Sequence, residues 1–368
     1  MKEAFTGDWH IDNIRKTYLV DGTPNREIDL DEQVNTMLKE CIEREVEWFV
    51  ILGDLYDKHV ITAYYFNKVV DILRMFTHNK IRVVVIPGNH ELKESGLPIT
   101  SALSKLKDEY IYVYDRISLV SQAGIILIPH VRRNEYKNYG NYTEYVKKEI
   151  SRFKISKPIV AGHFQPTSAT PGSEQEMFAG STRFVDCSIF KNALVICSHV
   201  HKPQEIGRIV IPGSPIRFIL SERDEAKRFI VYDTENQELE SIGLNCQKMA
   251  LVKIDLFSKN TLSLPDDKIR KYKNMLVYIK VTTSRKNRYR ISAKDVTSKF
   301  EKMGAYVMSY EVHTIKDDKK EQEESDIKNV SMTPISIFSR ITNKVVKKVD
   351  ERKRILSKGK KALGEVND

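Results

Sequence analysis

Five short polar clusters stand out along the chain, each closing an apolar stretch: Asp8-Trp9-His10, Gly53-Asp54-Leu55-Tyr56-Asp57, Gly88-Asn89-His90-Glu91, Gly162-His163 and Ser198-His199-Val200-His201. Their side chains are carboxylates, an amide and imidazoles, with no thiol among them. Donors of this kind suit manganese, magnesium, iron or zinc rather than a sulfur-ligated centre. One such cluster means little, because a lone histidine is more often structural than functional. His59, His78 and His313 read as structural or surface residues, and His130, in Leu127-Ile128-Pro129-His130, reads as structural. The weight lies in the fixed order of the five. A carboxylate in a central cluster, such as Asp54, can bridge two cations roughly 3.5–4 Å apart, the separation used for in-line displacement at phosphorus. His199 and His201, two apart on extended chain, can turn towards different ions.

Clusters of this kind need strands to hold them. Trp48 to Leu52 and Arg82 to Ile86 are continuous apolar runs, the pattern of strands buried on both faces of a layered sheet. Val34, Met37, Cys41 and Ile42 precede the first run at helical spacing, and Tyr65, Val69, Ile72, Leu73 and Phe76 connect the two runs in the same way. Further strands are expected at 124–128, 158–161, 193–197, 206–211 and 229–232. Alternation of this sort predicts an α/β layered domain, with the clusters at the carboxyl ends of its strands.

From about Asn245 the pattern restarts. Strands at 249–256, 275–281 and 306–312 with a helix at 292–303 predict a small α+β unit. The stretch 316–329 is almost wholly charged or polar and reads as a linker. Beyond it Ile337, Phe338, Ile341, Val345, Val349 and Ile355 recur at helical spacing with a basic opposite side, the pattern of an amphipathic helix that wants a partner. The expected organisation is 1–240, 245–315, a linker at 316–333 and a helical tail at 334–368.

A chain of 368 residues suits two or three domains, and 41 % hydrophobic with 30 % charged residues is ordinary for soluble globular protein. No stretch approaches the roughly 18 apolar residues of a membrane span, and the first residues lack the apolar run of a signal peptide. The four cysteines (Cys41, Cys187, Cys197 and Cys246) have no paired spacing and read as reduced, which points to the cytoplasm. The formal net charge is +10. Its distribution matters more than its size. Ten Lys or Arg lie between Arg340 and Lys361 against Asp350 and Glu351, and Arg285, Lys286, Arg288 and Arg290 crowd one short segment around Tyr289.

The order Asp-x-His, Gly-Asp-x-x-Asp, Gly-Asn-His-Glu, Gly-His and x-His-x-His resembles that of the calcineurin-like metallophosphoesterases. Within them it is most similar to the nuclease subunit of SbcCD-type double-strand-break repair and recombination complexes, phage-encoded members included. Leu127-Ile128-Pro129, His201-Lys202-Pro203-Gln204 and Pro212-Gly213-Ser214-Pro215-Ile216 strengthen that branch. The motifs cover roughly residues 1–235; beyond them the likeness rests on domain order.

The resemblance implies a four-layer sandwich, two mixed sheets flanked by helices, with a small α+β capping domain and a helical C-terminal tail. It implies that Asp8, His10 and His201 hold one divalent ion, that Asn89, His163 and His199 hold another, and that Asp54 bridges them. Manganese is the expected metal and magnesium the other candidate. His90 would contact the scissile phosphate and assist the departing oxygen. Asp57 stands where other branches carry a phosphate-positioning histidine, and it is counted as catalytic. The implied activity is phosphodiester hydrolysis at DNA ends, as a double-strand exonuclease and single-strand endonuclease, in repair, recombination or replication.

The family's ATPase is a separate SMC-like coiled-coil subunit. This chain has no Gly-x-x-x-x-Gly-Lys-Ser/Thr of its own. Ile337, Phe338, Ile341 and Val345 would dock that subunit, in a heterotetramer built on a nuclease homodimer, while Arg285, Lys286, Arg288 and Arg290 would contact DNA. Two other readings stay open from the residues alone: a stand-alone metallophosphatase or small-molecule phosphodiesterase, and a DNA-end-binding scaffold. The capping domain, basic segment and tail weigh against the first, and the complete set of candidate ligands against the second.

Overall fold

In the computed structural model the described residues are 1–13, 18–93, 96–173, 183–256, 265–284, 288 and 292–315. The basic residues Arg285, Lys286 and Arg290, the linker and the tail with Ile337, Phe338, Ile341 and Val345 lie outside them. Arg288 is described and exposed.

The main elements follow in chain order: β1 (Lys2–Thr6), α1 (Asn25–Glu43), β2 (Trp48–Leu52), α2 (Ala63–His78), β3 (Arg82–Ile86), β4 (Ile111–Val113), β5 (Ser118–Val120), β6 (Ile125–Ile128), α3 (Tyr142–Ile150), β7 (Ile159–His163), β8 (Leu194–Ser198), β9 (Gln204–Ile206), β10 (Ile209–Ile211), β11 (Arg228–Asp233) and β12 (Glu238–Gly243). They build two six-stranded mixed sheets, ordered β12-β11-β1-β2-β3-β4 and β9-β10-β8-β7-β6-β5. β1 to β4 run parallel, as do β6, β7, β8 and β10; antiparallel strands close every edge except the one at β4.

The apolar runs are continuous because each strand faces a core on both sides. Along β2, Trp48, Val50 and Leu52 pack into the core between the sheets, with Ile125, Leu127 and Ile196 of the second sheet. The alternate residues Phe49 and Ile51 face Val34, Met37, Val69, Leu73 and Phe76 of α1 and α2. On the outer face of the second sheet, Ile126, Ile128 and Cys197 pack with Tyr142 and Val146 of α3. The result is helix, sheet, sheet, helix. Fully burying each such Val, Leu, Ile or Phe contributes about 1.5–3 kcal/mol, which makes this sandwich a stiff mount for its end loops.

One expectation is corrected. The run 206–211 is not a single strand but a hairpin of β9 and β10, turning at Gly207 with φ +61°. An apolar run interrupted by Gly-Arg accommodates a two-residue turn, for which glycine supplies the positive φ. The strands β4, β5 and β12 and helix α3 also form where no element was expected.

After this sandwich, β13 (Met249–Asp255), β14 (Leu276–Ser284) and β15 (Tyr306–Ile315) form a three-stranded sheet in that order, with helix α4 (Ala293–Lys302) between the last two in sequence. Among the described residues, those within 1–252, 265–279 and 294–310 cluster as one compact unit, and those within 253–256, 280–293 and 311–315 fall to a second. Among the described residues no helix is long and apolar enough to cross a membrane.

Candidate metal centre

The five clusters converge at the carboxyl ends of the parallel strands. The loop after β1 is laced to the loop after β2 by main-chain hydrogen bonds from Asp8 N to Gly53 O, His10 N to Asp54 O and Ile11 N to Leu55 O, each 2.9–3.0 Å. The second sheet joins through the amide of His199, which donates to both carboxylate oxygens of Asp8 at 3.1 and 3.0 Å. Asp8, His10, Asp54 and His199 all take positive φ, between 47° and 94°. Non-glycine residues rarely adopt that region and are held there only where the surroundings over-determine them.

Two groups of donors face one another. Asp8, His10 and His201 form one and Asp54, His163 and His199 the other, each with ligand atoms within 4.8 Å of one another. Asn89 Oδ1 lies 2.9 Å from both His163 Nε2 and His199 Nδ1 and so joins the second group. Asp54 stands between the groups: its Oδ2 is 3.8 Å from His10 Nε2 and 3.4 Å from His163 Nε2. A third set, His10, Asp57 and His90, adjoins the first.

The protonation pattern fits cations. His163 Nδ1 is 2.9 Å from the carbonyl of Leu52, so it carries the proton and leaves the Nε2 lone pair towards Asn89 and Asp54. His10 Nδ1 faces Asp57 Oδ1 at 3.1 Å, and His201 Nδ1 faces Ser173 Oγ at 3.2 Å. With both Nδ1 atoms directed to acceptors, His10 and His201 turn their Nε2 atoms to each other at 3.1 Å, an approach that calls for positive charge: a metal cation, or a second proton on His201, which burial lowers but the Glu222 hydrogen bond and the Asp8 charge raise above its usual value. Burial pulls His10 down to about 4 and His199 down to about 3, keeping these rings neutral and able to donate lone pairs at neutral pH. Burial likewise pushes Asp8 up to about 6, against the pull of His201 and His163. Burial would raise Asp54 too, but the imidazoles of His163, His90 and His10 hold its carboxyl well below the usual range. An oxygen-and-imidazole set of this composition fits divalent ions.

His90 and Asp57 sit at the edge of the centre. His90 Nδ1 is 2.7 Å from the carbonyl of Asp57, and its Nε2 is 3.9 Å from Asp54 Oδ2. The His90 amide donates to Asp54 Oδ1 at 2.9 Å. Asp57 also accepts from Asn13 Nδ2 at 3.1 Å, so its carboxylate is fixed between Asn13 and His10.

Chain comparison places the centre in a family. The calcineurin-like phosphoesterase pattern matches residues 1–203. The chain belongs to that family. This phosphoesterase is 23 % identical over 255 residues to a protein of Enterobacteria phage T4 called exonuclease subunit 1, covering 67 % of this chain and 68 % of the relative. Among solved structures it matches a dimetal phosphatase from Danio rerio at 10 % identity and TM-score 0.40, covering 66 % of this chain and 96 % of the other. It also matches the Pseudomonas putida nuclease MPE at 17 % identity and TM-score 0.28, covering 66 % and 72 %.

Some residues that hold the phosphoesterase centre together escaped sequence reasoning. Glu91 is fully buried and accepts the main-chain amides of Tyr56 at 2.8 Å, Gly88 at 2.8 Å and Asp54 at 3.2 Å, tying two of the loops to each other. Burial and the Asp54 charge push its carboxyl well above the usual range. Its place beside His90 was visible in the sequence, but its inward direction was not. Glu222, Lys227 and Ser173 are also buried beside His201. Glu222 and Lys227 stand in the charge-rich stretch Ser221 to Arg228, and neither it nor the surroundings of Ser173 carries a local pattern that marks them as buried. His130 is buried with its ring 5.9 Å from that of His163, and burial holds it well below its usual value.

Proposed function

We propose that this phosphoesterase is a two-metal DNA nuclease, the SbcD-type subunit of a double-strand-break repair or recombination machine. The observation that supports it most is the position of Asp54 between two donor groups, with Asp8, His10 and His201 on one side and Asn89, His163 and His199 on the other. Bound there, two divalent ions, manganese foremost, would neutralise phosphodiester charge and make water a nucleophile near neutral pH.

The chain's own residues do the rest. Asp57 turns His10 so that Nε2 faces the centre, and Leu52 O does the same for His163. His90, held through Nδ1 by the carbonyl of Asp57, presents Nε2 to the departing oxygen, where it donates a proton or stabilises charge. The name of the phage relative and the basic balance of the chain favour DNA as substrate. Arg285, Lys286, Arg288 and Arg290 would grip phosphates without regard to sequence, and the segment after residue 333 would dock an SMC-like ATPase.

Linear duplex DNA and a small generic phosphodiester, each with manganese and with chelator, test the reading. Metal-dependent loss of DNA from its ends supports it. Turnover of the small diester with intact DNA would make the protein a different phosphoesterase. For the partner, deleting 334–368 should abolish ATPase-subunit pull-down and leave metal-dependent cleavage in place.

A further inference from the structure

His201 is gripped from behind by a buried cluster, through its carbonyl and its ring alike. Its carbonyl accepts from Lys227 Nζ at 3.1 Å and from the Ser214 amide at 3.2 Å. Its ring Nδ1 is 3.2 Å from Ser173 Oγ and 3.5 Å from Glu222 Oε1. Ser173 Oγ in turn donates to Glu222 Oε1 at 2.5 Å, and Lys227 Nζ donates to Glu222 Oε2 at 2.8 Å. The Phe218 amide donates to the same Oε2 at 3.1 Å, and Lys227 also reaches Ser214 Oγ and Glu225 Oε2, each at 2.8 Å.

The proton count decides what this cluster does. A serine hydroxyl has one hydrogen, and Ser173 gives it to Glu222, so towards His201 it can only accept. His201 must therefore carry a proton on Nδ1, which directs Nε2 towards His10 across 3.1 Å. A buried Glu–Lys pair is poor evidence for stability, because desolvating both charges offsets much of their attraction. Glu222 and Lys227 are both within 1 % of complete burial, yet their contacts converge on one histidine, carbonyl and ring together. We infer that Glu222, held by Lys227 and relayed through Ser173, is a positioning carboxylate that fixes the tautomer and orientation of His201 and so sets affinity for the ion held by Asp8, His10 and His201. This rests on the two-metal reading of the centre.

Two substitutions probe it without leaving an unpaired buried anion. Ser173→Ala removes the relay. Glu222→Gln keeps the shape but offers one acceptor where Ser173 and Lys227 require two. Outer-sphere partners of metal-bound histidines are typically worth 10–100-fold in metal affinity. Manganese titration of the whole protein, by calorimetry and electron paramagnetic resonance, should show two ions in the wild type. Each variant should bind one of them roughly 10–100-fold more weakly and the other as before. Cleavage at limiting manganese should fall and recover at saturating manganese, with the melting temperature of the metal-free Ser173→Ala protein unchanged. Two ions of wild-type affinity in both variants would overturn the inference alone. Equal weakening of both ions with a lowered melting temperature would make the cluster merely structural and overturn it as well. A wild type that takes up fewer than two ions would overturn the two-metal reading itself, and the inference with it.

Discussion

Gly88 passes so close to Asp54 that a Cβ on it would overlap both the Asp54 carboxylate and its main-chain nitrogen. The contact joins the loops after β2 and β3 at a carboxylate that faces both donor groups. Gly53, with φ +84°, is pressed from the other side, where a Cβ would meet His163 Nδ1 and the main chain of Gly88. Gly88→Ala must therefore move Asp54. Overpacking of this kind costs typically 1–3 kcal/mol. We expect a lower melting temperature and loss of most turnover, read by thermal denaturation and a phosphodiester assay. A variant with both at wild-type level would show that the loops yield without disturbing the carboxylate.

Asp54→Ala should remove affinity for both ions and abolish cleavage, since its Oδ2 faces His10 on one side and His163 on the other. Asp8→Ala should weaken the ion of its own group more than the other. Metal titration of the two variants side by side checks the difference; near-normal manganese-dependent cleavage by Asp54→Ala would exclude the bridging role.

His90→Asn should keep both ions and DNA affinity while turnover falls by roughly 10²–10⁴-fold, the usual worth of a proton-transfer group. The ring is oriented by the carbonyl of Asp57, which leaves Nε2 3.9 Å from Asp54 Oδ2 at the edge of the centre. Metal stoichiometry measured beside single-turnover cleavage tests this. Disappearance of an ion from the variant would make His90 a ligand instead.

Glu3 supplies a pH dependence unrelated to the centre. It is fully buried on β1, and neither carboxylate oxygen has a hydrogen-bond partner. Burial pushes its carboxyl up to about 8; the amino terminus pulls against this, and the charges of Glu47 and Asp233 add to it. A carboxyl raised in the folded state favours folding while protonated. Its contribution is full below about 4.5, declines as pH rises, and is lost once pH passes about 8. Glu3→Gln should therefore leave stability near pH 4 almost unchanged. At pH 8–9 it should raise stability by an amount on the order of a few kcal/mol. Denaturant unfolding at the two pH values gives the comparison, and equal effects at both would remove Glu3 as the source.

The sequence by itself determined much of this protein. The continuous apolar runs Trp48 to Leu52 and Arg82 to Ile86 are strands with those bounds, because a strand packed on both faces admits no polar alternation. The polar clusters announced themselves because carboxylate, amide and imidazole side chains at the ends of such runs have no core to enter. Side-chain direction follows the local backbone period, so elements and their faces are written locally.

Tertiary structure decided which distant residues meet. His199 reaches Asp8 across 191 residues, and the strand register that brings them together depends on the assembled sheets. It also decided the fate of charged residues whose local context suggests water. Glu91 is buried where the amides of Asp54 and Tyr56 reach it, and the neighbouring pair Glu222 and Lys227 is buried where Ser173 and His201 close on it. A buried charge is tolerated when hydrogen bonds replace its hydration, and Glu222 and Lys227 complete theirs through Ser173 and His201, 49 and 26 residues away, which no local period records.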